Sequence, residues 1–239
     1  MPKEDESAGT WQEALNAYKY RADLSEYQKR SEFPGFFGKR IPGCRKSTIE
    51  FEDYFRGLAP KTIQVWYEVA FWKLYSQPPW RSRKVSSIVD YTSTQAVTAA
   101  QLWEATQQFI RTPSKIGLTY LRGLLGFKYG MAVPLTFVAF ADPQSYPMVD
   151  RRVADWVNAN LEKHNAGRNN KLTKFRSREW KKANFIPDSD FGAYMDWVSW
   201  CREIASMLSG LTNTCWRARD VEMAIFTAYR PVPSLSVLP

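Results

Sequence analysis

Apolar residues recur along this chain at the three-and-four spacing of helices, and nowhere do they alternate with polar ones over a sustained run. Residues 11–27 read as a first helix, with Trp11, Leu15, Tyr18 and Ala22 on one face. From Phe33 to Cys44, "FPGFFGKRIPGC" holds glycine and proline too densely for a regular element and reads as a connector with aromatic anchors. Ser47 with Glu50 three residues on is a capping-box pattern, predicting a short helix that Gly57 and Pro60 close. Residues 62–74, "TIQVWYEVAFWKL", are apolar almost all round and predict a buried helix stopped by "SQPPW". Further helices are expected over 94–110, 114–125, 131–140, 151–161, 190–208 and 217–229. The class that follows is all-α.

Composition narrows this picture. At 239 residues and 44% hydrophobic content, the chain can bury a core of its own as one domain or as two lobes sharing it. Thirty-three Lys and Arg against 24 Asp and Glu leave a net charge of +9, which on charge alone fits a polyanionic partner, nucleic acid first, and equally a soluble protein that is simply basic. Cys44, Cys201 and Cys215 cannot pair completely and contain no C-x-x-C, so neither a disulfide framework nor a zinc site is expected. His164, the only histidine, excludes His-pair metal sites and reads as a surface residue at a helix end. The N-terminus lacks an apolar signal run and no stretch approaches the roughly 18 apolar residues of a membrane span. The expectation is a monomeric protein without a membrane segment, cytoplasmic (nucleoid-associated in a prokaryote) or nuclear.

The candidate chemistry lies in "LLGFKYGMAVPLTFVAFADPQSYPMVD", residues 124–150. An apolar helix ends at Gly126 and a second begins a few residues later, so the new helix presents unpaired N–H groups and the positive end of its dipole beside Lys128. Such a turn can hold a phosphate, although many tight helix–helix turns only connect. One helix later, Pro147 imposes an extended approach to Asp150, which opens the helix "RRVADWV", where a carboxylate also caps well.

These residues resemble the hairpin and catalytic segment of the helix-hairpin-helix DNA glycosylase superfamily. Leu124, Gly126, Phe127 and Ala132 match the hairpin pattern, and "YPMVDRRV" is similar to the context in which that family carries its catalytic aspartate. The resemblance covers residues 121–157 well and the helical remainder only in kind. It implies that Asp150 is catalytic and that Gly126, Phe127, Lys128, Tyr129 and Gly130, with Arg151 and Arg152, contact DNA. Two positions depart from the pattern: Lys128 replaces the usual second hairpin glycine, and Gly130 stands where strand-cleaving members carry a nucleophilic lysine. The resemblance therefore implies hydrolysis of the base without lyase activity, that is, a monofunctional enzyme. The family's accessory iron–sulfur cluster needs four cysteines near the C-terminus, where this chain has Cys201 and Cys215, so no metal or cofactor is expected.

The residue types suit that chemistry. Breaking an N-glycosidic bond develops positive charge on the sugar, and a fixed carboxylate stabilises it; Arg151, Arg152 and the helix N-terminus would favour the ionised acid. The base must leave the stack for a pocket, and Gln77 and Trp80 in "LYSQPPW" are candidate pocket or wedge residues beside the plain alternative of a proline helix stop. Trp66, Trp72 and Trp197 fit core packing better than base stacking. "GRNNKLTKFRSREWKK", residues 167–182, interleaves seven basic residues with Phe175 and Trp180, as either a phosphate-tracking surface or a solvated loop. In "RARDVEMAIF", Arg219, Asp220 and Glu222 read as capping and ion-pair partners on a helix whose buried side is Val221, Ala224, Ile225 and Ala228.

The resulting expectation is a two-lobed all-α fold with a helix-hairpin-helix motif. Residues 1–46 supply a tail and a helix packing with the C-terminal lobe, 47–162 the hairpin domain, and 163–239 the basic loop and last helices. The function expected is removal of a damaged or mismatched base from double-stranded DNA. A non-enzymatic helix-hairpin-helix DNA-binding protein is the alternative, and a protein-binding basic scaffold ranks last.

Overall fold

The computed structural model describes residues 8–28, 40–77, 80–166, 170–176 and 187–228. These residues are predominantly helical, in chain order α1 (Ala8–Asn16), α2 (Ser25–Gln28), α3 (Arg45–Leu58), α4 (Gln64–Leu74), α5 (Trp80–Thr94), α6 (Ala99–Arg111), α7 (Lys115–Leu124), α8 (Ala132–Ala141), α9 (Arg151–Asn165), α10 (Phe191–Leu211) and α11 (Ala218–Ala228). Two short strands, β1 (Ala22–Asp23) and β2 (Arg40–Ile41), pair antiparallel with Ala22 opposite Ile41. Among the described residues no helix is long and apolar enough to cross a membrane.

Two helices organise the interior. α8, "AVPLTFVAFA", is buried from Pro134 to Phe140 and packs against α3, α4, α6 and α7. α11 is buried from Ala218 to Phe226 and packs against α1, α9 and α10. One continuous apolar cluster joins the two groups: Phe51, Trp72 and Phe140 meet with centroids 5.1–6.1 Å apart, and Tyr20 bridges Trp72 and Phe226 at 4.8 and 5.8 Å.

α11 also carries charge inward. Arg219, Asp220 and Glu222 are buried beside Glu52 of α3, with Arg45 and Arg217 closing the group. The Asp220 carboxylate accepts from Arg45 Nε at 3.0 Å and Nη2 at 2.9 Å, and from Arg217 N, Nε and Nη2 at 2.9–3.1 Å. Arg217 Nη1 reaches Glu52 at 2.6 Å. The expected ion-pair role of these charges is what the structure has; their expected outward face it does not, because α11 has no solvent side over that length.

Several boundaries differ from the periodicity. Trp11, Leu15, Tyr18, Ala22 and Tyr27 are all buried, yet the first helix stops at Asn16. Beyond it the backbone turns to meet the segment before α3: Tyr20 N donates to Gly43 O at 2.9 Å, and a Cβ on Gly43 (φ +82°) would stand 2.2 Å from the Tyr20 carbonyl carbon. A tertiary contact thus overrides local helical preference. α3 begins at Arg45, and Ser47 works from inside its first turn, accepting from Gly43 N at 3.1 Å and donating to Cys44 O at 3.0 Å. The capping box belongs to α6, where Thr98 and Gln101 bond each other's backbone N–H. α5 escapes the periodicity because its sequence, "WRSRKVSSIVDYTST", is mostly polar; among its described side chains Val85, Ile88 and Thr92 are fully inside.

Candidate active site

α7 ends at Leu124, and the chain turns sharply before entering α8 at Ala132. The turn needs two left-handed residues, Gly126 at φ +75° and Gly130 at φ +87°. Lys128 therefore does not occupy a glycine-demanding conformation: the second positive φ falls two residues later, on a glycine the chain does possess. A side chain on Gly126 would also stand 2.6 Å from the ring of Tyr91 on α5, so the position excludes other residues by contact as well as by conformation. Beyond Phe127, whose N–H donates to Arg122 O at 3.2 Å, the N–H groups of residues 128–133 reach no backbone acceptor among the described residues. Those of Met131 to Val133 are orphan donors of the α8 N-terminus, where Pro134 has no N–H to leave unpaired, and those of residues 128–130 belong to the turn before it.

Asp150 caps α9 from an extended backbone (φ −143°, ψ −176°), its Oδ1 accepting from Val153 N at 3.1 Å. The other oxygen, Oδ2, lies 3.9 Å from Nζ of Lys73, the penultimate residue of α4. The Asp150 side chain is 29% exposed and that of Lys73 only 10%. Burial pushes the Lys73 ammonium below the usual lysine range; Asp150 partly restores it and Arg219 adds to the depression.

These groups share one pocket of about 530 Å³. Gly126 to Gly130 line it together with Asp150, Arg151 and Arg152, and Gln77 and Lys84 contribute as well. Tyr20 and Phe226, from distant parts of the chain, also line it. Tyr20 Oη donates toward the carbonyls of Trp72 and Lys73, at 3.2 and 3.1 Å, and so fixes the end of α4 that carries the lysine. Arg152 lies over the Phe226 ring at 4.9 Å, a cation–π contact that aims its side chain along the pocket wall. Arg151 pairs with Asp155 one turn on, at 3.5 Å and half exposed, a contact worth little energetically.

Of the residues singled out by sequence, Asp150, Arg151, Arg152, Gln77 and the hairpin residues Gly126, Phe127, Lys128, Tyr129 and Gly130 all line this pocket. Trp80 begins α5, and its side chain lies outside the described residues. Trp180 and most of the basic stretch also lie outside them. The described part corrects one expectation: Phe175 is buried rather than offered to a base, and Asn158 clamps its backbone N–H and carbonyl at 2.8 and 2.9 Å. His164 is likewise interior, between Trp156 and Trp200 at 4.8 and 5.5 Å, instead of at the surface.

Lys73, Tyr20 and Phe226 are the residues that sequence reasoning missed. A signal for the first existed: in "QVWYEVAFWKL" only Glu68 and Lys73 carry charge on a helix otherwise made for burial. No protein family, curated protein or solved structure matches the chain.

Chemically, the pocket sets five cations, Lys73, Lys84, Lys128, Arg151 and Arg152, against the single carboxylate of Asp150. It can attract phosphates around its rim while holding one fixed negative oxygen inside, a combination suited to stabilising a cation that forms on a polyanion.

Proposed function

We propose that the chain is a DNA glycosylase that hydrolyses the N-glycosidic bond of a damaged or mismatched base in duplex DNA. In this reading the α7–α8 turn is a helix-hairpin-helix element gripping a backbone phosphate through its orphan N–H groups and Lys128. The target nucleotide swings out of the stack into the pocket, at a cost of a few kcal/mol that is lower for weakened pairs. As the base departs, charge builds on the sugar, and the free oxygen of Asp150 stabilises it and orients the attacking water. The hairpin offers no amine at Gly130, so water, rather than a hairpin lysine, breaks the glycosidic bond.

The observation that carries this reading is that the Asp150 carboxylate and the turn at 126–130 open into the same pocket, whose volume of about 530 Å³ lies within the range of small-ligand sites. The test is base release from duplexes bearing uracil, alkylated purines, oxidised guanine or mismatches, with abasic sites revealed by alkali. Asp150→Asn is the informative variant, because asparagine also caps helices and so separates the charge from the cap. Base release is expected to fall by about 10²–10³-fold with the loss of that electrostatic stabilisation, while duplex binding persists.

One observation favours a second reading. Asp150 already has a structural role, accepting from Val153 N at 3.1 Å, and a pure DNA-binding module would need nothing more of it. Salt-sensitive duplex binding with no base released from any lesion selects that module.

A further inference from the structure

Lys73 is used by nothing in the hydrolytic scheme above. It lies near the end of a helix buried from Val65 to Trp72, yet its side chain opens into the pocket beside Asp150. Its partner oxygen is 3.9 Å away, an ion-pair contact too long for a hydrogen bond, and among the described residues the amine makes no hydrogen bond. Lys128, by contrast, is exposed at the turn. A largely buried lysine that makes no hydrogen bond and faces a pocket is an amine suited to carbonyl chemistry: burial favours its neutral, nucleophilic form, and an adjacent carboxylate can carry the proton.

Phosphate-binding surroundings and an amine together select an aldehyde that carries phosphates. If the pocket admits a deoxyribose as proposed, hydrolysis of the base creates such a group in place, since the abasic sugar opens to an aldehyde flanked by two phosphates. We infer that the ε-amine of Lys73 condenses with the aldehyde of the abasic sugar, holding the product covalently as an imine. This rests on the proposed placement of the sugar, and it follows base release rather than replacing water in that step.

The step balances. The ammonium of Lys73 gives a proton to Asp150, and the neutral amine forms a C–N bond to the aldehyde carbon. Asp150 returns the proton to the carbinolamine oxygen, which leaves as water. The products are a protonated imine and one water; the imine carries the positive charge the ammonium had. Water reverses the sequence and frees the DNA.

The test uses the full chain with a duplex in which the abasic site is already formed, so no base release is required. Borohydride reduces an imine to a stable secondary amine, and peptide mapping then locates the adduct. The expected result is one protein–DNA adduct at Lys73. In Lys73→Arg, which keeps a cation beside Asp150 but cannot form the imine, the yield per bound duplex falls at least about tenfold. Circular dichroism and duplex binding, measured on the same sample, confirm that the variant is folded. An adduct at Lys128 or Lys84, or an undiminished yield in Lys73→Arg, overturns the inference. Glyceraldehyde 3-phosphate forms the second arm: its capture at Lys73 without capture of the abasic duplex overturns the assignment of DNA as the source of the aldehyde. Absence of base release across the lesion panel with trapping intact refutes the glycosylase reading alone.

Discussion

Two groups of ionised side chains lie inside this molecule, and they are built on opposite plans. Around α11, three arginines (Arg45, Arg217, Arg219) meet three carboxylates (Glu52, Asp220, Glu222). The charges balance, contacts are short, and Asp220 is fully enclosed. In the pocket, five cations, of which Arg151 also pairs with Asp155, line the space with one carboxylate, the closest internal contact between a cation and that acid is 3.9 Å, and the group opens to solvent. A balanced, mostly enclosed cluster pairs its charges with one another and holds elements together. An unbalanced, open one leaves its field for a ligand. The same residue types therefore serve packing in one place and recognition in the other.

Removing one member of each cluster is the severest test of that contrast. Arg219→Met leaves Glu222 and part of Glu52 as buried carboxylates without their partner, and the expected loss is about 3–5 kcal/mol, read by denaturant unfolding. Lys73→Met should behave differently. It removes a cation that burial already disfavours, and Asp150 retains both its solvent exposure and its bond to Val153. The expected change is within about 1 kcal/mol of zero, of either sign. Equal destabilisation by the two substitutions would erase the distinction between holding charge and working charge.

How legible each region was follows from the range of the contacts that build it. Gly126, Lys128, Gly130 and Asp150 lie within one stretch of chain, and the turn and the cap are local structures legible in the sequence; that they share a site is what the resemblance implies. Lys73 and Tyr20 join them only because the end of α4 and the chain after α1 meet at the start of α9, and no local pattern encodes that meeting. Tertiary contact also cut short the first helix at Gly43, drew His164 between two tryptophans, and buried Phe175 under the Asn158 clamp. The charges of α11 form the ion pairs their sequence suggests, but they lie inside instead of on a solvent face. A helix with polar residues on one side ordinarily turns that side to water. Here Glu52 and Arg45 of α3 supply complementary charges at the same depth.

A smaller effect tests the pocket's rigid wall. Gly126→Ala forces an L side chain into φ +75° and against the Tyr91 ring at 2.6 Å. The left-handed backbone alone costs roughly 1–2 kcal/mol, and the clash adds to it. Thermal unfolding should show the loss, and binding to an undamaged duplex should weaken because the orphan N–H groups are no longer aimed. Adding Tyr91→Ala should recover the clash and leave the backbone cost. Full recovery would mean that the turn does not need its glycine for conformation. The α11 cluster, sharing no residue with this turn, should be indifferent to both changes, so the effects of Gly126→Ala and Arg219→Met are expected to add within about 0.5 kcal/mol.

The smallest expected effect bears on the field itself. If the surplus cations of the pocket meet phosphates, duplex affinity falls with salt as counterions are displaced, each neutralised phosphate contributing about 0.9 to the slope of log affinity against log salt. Lys128 is exposed on the turn and outside every ion pair formed by the described residues. Lys128→Ala should thus leave stability unchanged, weaken binding alike on all sequences, and reduce that slope by about one. Arg45→Ala offers the matched control, an equal loss of charge from the balanced cluster; it should lower stability while leaving the salt slope where it was, because its field is spent on Asp220 at 2.9 Å. A slope that responds to Arg45 and not to Lys128 would move the DNA-facing surface to the other side of the molecule.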